Sequence, residues 1–87
     1  MYQTKYPLVE VIWEDAVANP NWFFTDDADK WSDRGRAMIV EVGYLIKDTK
    51  QYIVLASAIN RESKLVEQKF GQIHLIPRGV LKTLTKL

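Results

Sequence analysis

His74 is the only histidine in the chain, and cysteine is absent. The side chains most used for nucleophilic attack, general-base work and soft-metal binding are therefore almost missing. A metal site with two histidine ligands is excluded, and a Ser/His/Asp arrangement could draw on this one residue alone. His74 stands mid-strand beside Gln72, on the face opposite Ile73 and Leu75, where a surface or interface role is the simpler reading than catalysis. Asp26, Asp27 and Asp29, with Asp33 beyond, supply the oxygen ligands that a calcium loop needs. They lack its spacing, because such a loop requires a central glycine and a glutamate at its twelfth position. That position falls on Met38 counted from Asp27, and on Val40 counted from Asp29. The run is read instead as negative charge gathered at a helix N-terminus.

Trp13, Trp22 and Trp31 follow one another at nine-residue intervals, with Phe23 and Phe24 beside the middle one. As an exposed platform such rings stack bases, at roughly 1–3 kcal/mol each. Packed inward, they supply much of the burial of a small domain, and at an interface they anchor a partner. The four glycines (35, 43, 71 and 79) are scattered, so no phosphate-cradling loop is present.

Charge divides along the chain. Residues 1–36 carry seven acidic and four basic side chains, a net of −3, and residues 37–87 carry eight basic and four acidic, a net of +4. Arg61, Lys64, Lys69 and Arg78 in the second part could contact phosphates if they converge on one face. Solvated polar faces of strands and loops explain the same residues. With 87 residues the chain makes one domain, and a compact fold of this mass exposes roughly 5,300 Å². Without disulfide staples, so small a fold benefits from a partner subunit. No apolar run approaches a membrane span and the N-terminus has no signal-peptide core, so a cytoplasmic protein is expected.

These residues need elements to position them. Leu8 to Glu14 follows Pro7 as a β-branched and aromatic run, with Val9, Val11 and Trp13 on one face, and makes the first strand. Asn19-Pro20-Asn21 gives a turn. Thr25 to Gly35 reads as a short helix with Thr25 as N-cap, early aspartates, late Arg34 and terminal Gly35. Phe24, Ala28 and Trp31 form its apolar stripe, which predicts that the helix lies on the rest of the domain as a lid or plug.

Ala37 to Lys47 is the strongest strand signal. Met38, Val40, Val42, Tyr44 and Ile46 occupy one face, and Ile39, Glu41, Gly43, Leu45 and Lys47 the other. A strand this long must bend, and Gly43 marks a bulge or a close backbone approach. Asp48-Thr49-Lys50 turns the chain into a return strand, Gln51 to Ile59; Asn60 to Lys69 is a charged loop, and Phe70 to Ile76 is a further strand stopped by Pro77. Leu81, Leu84 and Leu87 recur at three-residue spacing, as a single 3₁₀ turn running into a short last strand would place them. Five short strands in a meander close most economically as a small all-β barrel.

Val42-Gly43-Tyr44-Leu45-Ile46-Lys47-Asp48, then Tyr52 to Leu55 and Ile73 to Leu81, resemble the strand-two to strand-five core of Sm-like, SH3-like small barrels. The resemblance covers residues 37–87 and implies assembly, since such barrels form rings by pairing strand four of one subunit with strand five of the next. The helix falls after strand one here, whereas Sm-like proteins carry theirs before it. The whole chain, with Ile12-Trp13-Glu14-Asp15-Ala16, Gly43-Tyr44-Leu45 and Ile76-Pro77, also resembles small uncharacterised proteins of tailed bacteriophages.

The expectation is therefore a single five-stranded Sm-like barrel with one inserted helix. It is expected to be non-enzymatic, homo-oligomeric, free of cofactor and metal, and active as a phage-encoded interaction protein in the host cytoplasm. Alternatives are binding of RNA or single-stranded nucleic acid through a ring face, and sequestration of a small nucleotide signal between subunits. Trp13, Trp22, Trp31, Arg61, Lys64, Lys69, His74 and Arg78 are the candidate ligand or partner residues.

Overall fold

Period-two runs rich in β-branched and aromatic residues set successive side chains on opposite faces of a pleat. In the computed structural model, which describes residues 4–18, 20–60 and 69–87, they form β1 (Leu8–Asp15), β2 (Ala37–Asp48), β3 (Tyr52–Ile59), β4 (Phe70–Pro77) and β5 (Leu81–Lys86). Helix α1 (Thr25–Arg34) lies between β1 and β2, and a 3₁₀ turn (Arg78–Val80) joins β4 to β5. The fold is mainly β, as expected. All five strands belong to one antiparallel sheet in the order β4-β3-β2-β1-β5. Strands β4 and β5 are its edges, with no ladder between them among the described residues.

The sheet curls strongly. In a flat sheet β1 and β4 would stand three strand spacings apart, about 14 Å, yet the rings of Trp13 and His74 meet at 5.2 Å. Tyr6, just before β1, likewise meets Phe70 of β4 edge to face at 5.1 Å. The curl gathers Val9, Val11, Leu45, Ile53, Leu55 and Ile76 into one buried cluster, against which Trp13, Val80, Leu81 and Leu84 pack. Gly43 makes the close approach expected of it: a Cβ there would sit 3.1 Å from the carbonyl oxygen of Ala56 and 3.3 Å from Leu55 Cβ. The register shift in β2 comes just after, between Leu45 and Lys47.

The more apolar face of β2 points away from this core. Met38, Val40 and Val42 are 46%, 62% and 49% exposed, while Gly43 and Leu45 are buried. Neighbouring strands continue the outer face through register pairs such as Ile12 with Val40 and Val54 with Leu75.

The helix does not act as a lid. No residue of α1 is buried, and Phe24, expected in its inward stripe, is 84% exposed. Thr25 is the first helical residue rather than the cap; Phe24 holds the cap position in extended conformation without a side-chain hydrogen bond. Gly35 ends the helix, donating its N–H to Trp31 O at 2.7 Å, where an added Cβ would meet that oxygen at 2.9 Å. The molecule measures 58 × 24 × 23 Å with a radius of gyration of 17.3 Å, against about 12 Å for a compact chain of this length. Its surface is 6987 Å², about 1,700 Å² above the compact expectation.

Candidate functional site

Two places collect the aromatic candidates. The first is the open part of the sheet's inner face, where Trp13 comes from β1, Glu41 from β2 and His74 from β4. Trp13 Nε1 donates to Glu41 Oε1 at 3.2 Å. His74 Nδ1 lies 2.8 Å from the same oxygen and 3.1 Å from Oε2, and the indole and imidazole meet edge to face. All three are half-buried. Glu41 therefore stands on the core face because two donors satisfy it, which removes the main cost of placing a carboxylate there. Above it, Ser57 Oγ donates to Gln72 Oε1 at 2.6 Å, and Gln72 has φ 53°, a left-handed conformation uncommon outside glycine. The inner face thus grades from an aliphatic core to a polar, partly open rim carrying an indole, a carboxylate and an imidazole.

The second place is the connection from β1 to β2, an arm that includes α1. Trp22 is fully exposed and Phe24 nearly so, while Phe23 stacks on Trp31 at 6.2 Å between centroids. A stacked pair eight residues apart lets the arm hold a local shape without a core of its own. Its stem is clasped. The ladder of β1 with β2 continues to the pair Asp15 and Ala37, and Arg36 donates to both carboxylate oxygens of Glu14, at 2.8 and 2.9 Å. Lys82 of β5 stands 3.4 Å from the same carboxylate. The Arg36 hydrogen bonds, foremost, hold the Glu14 carboxyl at about 2, well below its ordinary 4.5, and raise Arg36 in turn.

The basic candidates do not form a patch among the described residues. Arg78 is engaged internally: it pairs with Asp48, its Nε donates to Thr49 O at 3.1 Å, and its backbone N–H reaches Gln51 O. Thr49 Oγ1 in turn donates to Tyr52 O and accepts from the N–H groups of Gln51 and Tyr52, so Arg78 fastens the β2–β3 turn to the 3₁₀ turn. Lys69 is exposed before β4 while Arg78 follows it, so the strand separates them by about 26 Å of rise. Arg61 and Lys64 lie outside the described residues.

Of the eight candidates, the structure brings Trp13 and His74 together and sets Trp22 and Trp31 in the arm. Glu41, which joins the first pair, is the residue the sequence reading missed. Its signal was its place two residues before Gly43, on the face where a missing side chain marks close packing. Comparison with protein-family models, curated proteins and solved structures finds no match.

Proposed function

We propose that this protein is a small non-catalytic interaction module that assembles with copies of itself through its sheet edges, the curled sheet closing as an Sm-like barrel. The observation that carries this reading is that β4 and β5 are the sheet edges, each without a second strand partner among the described residues, with Ile73 and Leu75 of β4 65% and 53% exposed beside one of them. An open edge offers unpaired N–H and C=O groups to another strand, and a long apolar one is a pairing template. The phage origin and action in the host cytoplasm follow from the whole-chain resemblance. No helix among the described residues is long and apolar enough to cross a membrane.

Light scattering on the full chain over a range of concentrations tests the assembly. The Leu87 N–H donates to Leu8 O, so the N–H of Lys86, its neighbour along the strand, points to the open side. Lys86→Pro removes that outward donor without touching the ladder to β1. The expected result is a multimer for the unaltered chain and a smaller mass for the variant, which keeps a cooperative melting transition at a temperature lowered by the loss of association. A strict monomer, or a multimer indifferent to Lys86→Pro, overturns edge assembly.

A further inference from the structure

We infer that β4 takes its own counterpart as partner: the β4 edges of two copies pair antiparallel about a two-fold axis at His74, with Ile73 of each copy opposite Leu75 of the other. The inference rests on the reading of edge assembly and deepens it, by naming which edge meets which.

The usable part of β4 is short and bounded. Arg78 donates its N–H to Gln51 O, and the pairs Tyr52 with Pro77 and Ile53 with Ile76 follow in register. By the alternation of an antiparallel ladder, His74, Ile76 and Arg78 turn their backbone groups toward β3. Ile73 and Leu75 therefore turn theirs to the open side, where no strand meets them among the described residues. Pro77, the next outward position, has no N–H to offer, and Gln72 interrupts the extended run at the other end with φ 53°. What remains is Ile73-His74-Leu75, which is symmetric about His74. In the two-fold register Ile73 of one copy and Leu75 of the other exchange both backbone hydrogen bonds, and the exchange recurs across the axis.

The faces of the sheet select β4 rather than β5 as the partner. On β4 the outward backbone groups belong to Ile73 and Leu75, whose side chains lie on the outer face. On β5 the Leu87 N–H donates to Leu8 O and Val9 pairs with Lys86, so the outward groups belong to Leu84 and Lys86, which share the inner face with Val11 and Val9. Opposed residues of an antiparallel pair share one face, so β4 laid antiparallel on β5 would join the outer face of one copy to the inner face of the next. With like faces joined, β4 and β5 would run parallel, because each of the successive pairs in the order β4-β3-β2-β1-β5 is antiparallel, and parallel pairing is the less stable per residue. A two-fold joining β4 to β4 is antiparallel and keeps like faces together.

The side chains agree. Strand β4 carries no Asp, Glu, Lys or Arg, and the register neighbours of Ile73 and Leu75 on β3 are Ala56 and Val54. The first charge along those rows is Lys47, opposite Val54 on β2, with its ammonium over the Tyr52 ring at 5.2 Å. On the inner face Glu41 is held by Trp13 and His74 of its own copy. A second β4 thus meets no opposing charge, and its Leu75 and Ile73 flank the exposed Ile73 and Leu75 as apolar cross-strand pairs. Edge lysines, a common guard against strand addition, stand on β5 instead, at Lys82 and Lys86.

The absence of cysteine allows a direct test. In the two-fold register His74 faces His74 of the second copy as a non-hydrogen-bonded pair, with Cα atoms about 4.5 Å apart, within reach of a disulfide. His74→Cys is oxidised mildly in the otherwise unaltered chain and again with Lys86→Pro, beside Ser32→Cys at an exposed position of α1 as the collision control. The expected result is a disulfide-linked dimer in both backgrounds, formed about tenfold faster than by the control because the two sulfurs are held at high effective concentration. Light scattering gives a readout that leaves His74 in place. With β5 blocked by Lys86→Pro the chain is expected to remain a dimer, and adding Leu75→Pro, which removes an outward N–H and spares the ladder to β3, is expected to give a monomer with a cooperative melting transition. A monomer already with Lys86→Pro, with a disulfide between His74→Cys and Leu84→Cys chains, means β4 on β5: edge assembly stands and the inference falls. A Lys86→Pro dimer that survives Leu75→Pro, or His74→Cys linking no faster than Ser32→Cys, also overturns the inference alone. A mass unchanged by either proline overturns the edge reading and the inference together.

Discussion

The curled sheet and the arm use aromatic and apolar residues in opposite ways. In the sheet, aliphatic side chains from four strands disappear from solvent, and Trp13 packs against them while giving its N–H to Glu41. In the arm, three further aromatics, Trp22, Phe23 and Phe24, stay partly or wholly in water. The contrast separates rings that help hold the fold together from rings that do not: Trp13 is packed among its own chain's side chains, whereas Trp22 is fully exposed.

The contrast is broken most forcefully in the core. Leu55→Ala, at a side chain 1% exposed, is expected to cost about 2–5 kcal/mol, enough to unfold much of so small a domain, and chemical denaturation measures it. Gly43→Ala comes next, because the added methyl meets backbone that must shift; overpacking of this kind costs about 1–3 kcal/mol. A stable Gly43→Ala protein with unchanged melting would show that β2 and β3 pack less tightly than described.

Glu41→Ala is expected to cost about 1 kcal/mol, since it strips an acceptor from both Trp13 and His74 at a rim that water can reach. A double-mutant cycle with His74→Ala should show coupling of about 0.5 kcal/mol or more. Additive losses would mean that the two side chains do not share the carboxylate.

At the stem the effect depends on pH. The Glu14 carboxyl is held at about 2 in the fold against an ordinary 4.5, so its contribution is present above 4.5 and is lost as the pH falls from there toward 2. The melting temperature should drop across that window, and Arg36→Ala should flatten the part of the drop that comes from Glu14. An identical profile in the variant would remove the clasp. Smallest of all, Trp22→Ala should change monomer stability by no more than about 0.5 kcal/mol, so any larger loss measured on the monomer would place that ring inside the fold.

Element order and type were legible in the sequence because period-two alternation, Pro77, the Asp48–Lys50 turn and Gly35 are local signals. The direction of β2 was not. Both of its faces carry apolar residues, and alternation separates two faces without saying which one is covered. The inward face is the one with Gly43 and Glu41, which hydrophobicity alone ranks second; packing needs the space at the glycine, and the carboxylate is tolerated because donors arrive from β1 and β4. The site was half legible for the same reason. Trp13 and His74 could be named, but 61 residues separate them, and only the curl of the sheet, a long-range property, shows that they meet. The arm differs from its reading as a lid because its helical stripe predicts the sheet core beneath it, whereas Trp31 of that stripe stacks on Phe23 within the arm and Phe24 is exposed.

The stem has a consequence for how such a chain can change. Because the excursion begins and ends at the paired residues Asp15 and Ala37, the sheet constrains only its two ends. Doubling the length of a flexible insertion between fixed ends costs only about 0.6 kcal/mol more in closure entropy. Segments of different length and composition could therefore be grafted at this point without retuning any strand, with Glu14 and Arg36 as the fixed junction. That makes the β1–β2 junction a place where length and composition can change while the five strands stay as they are.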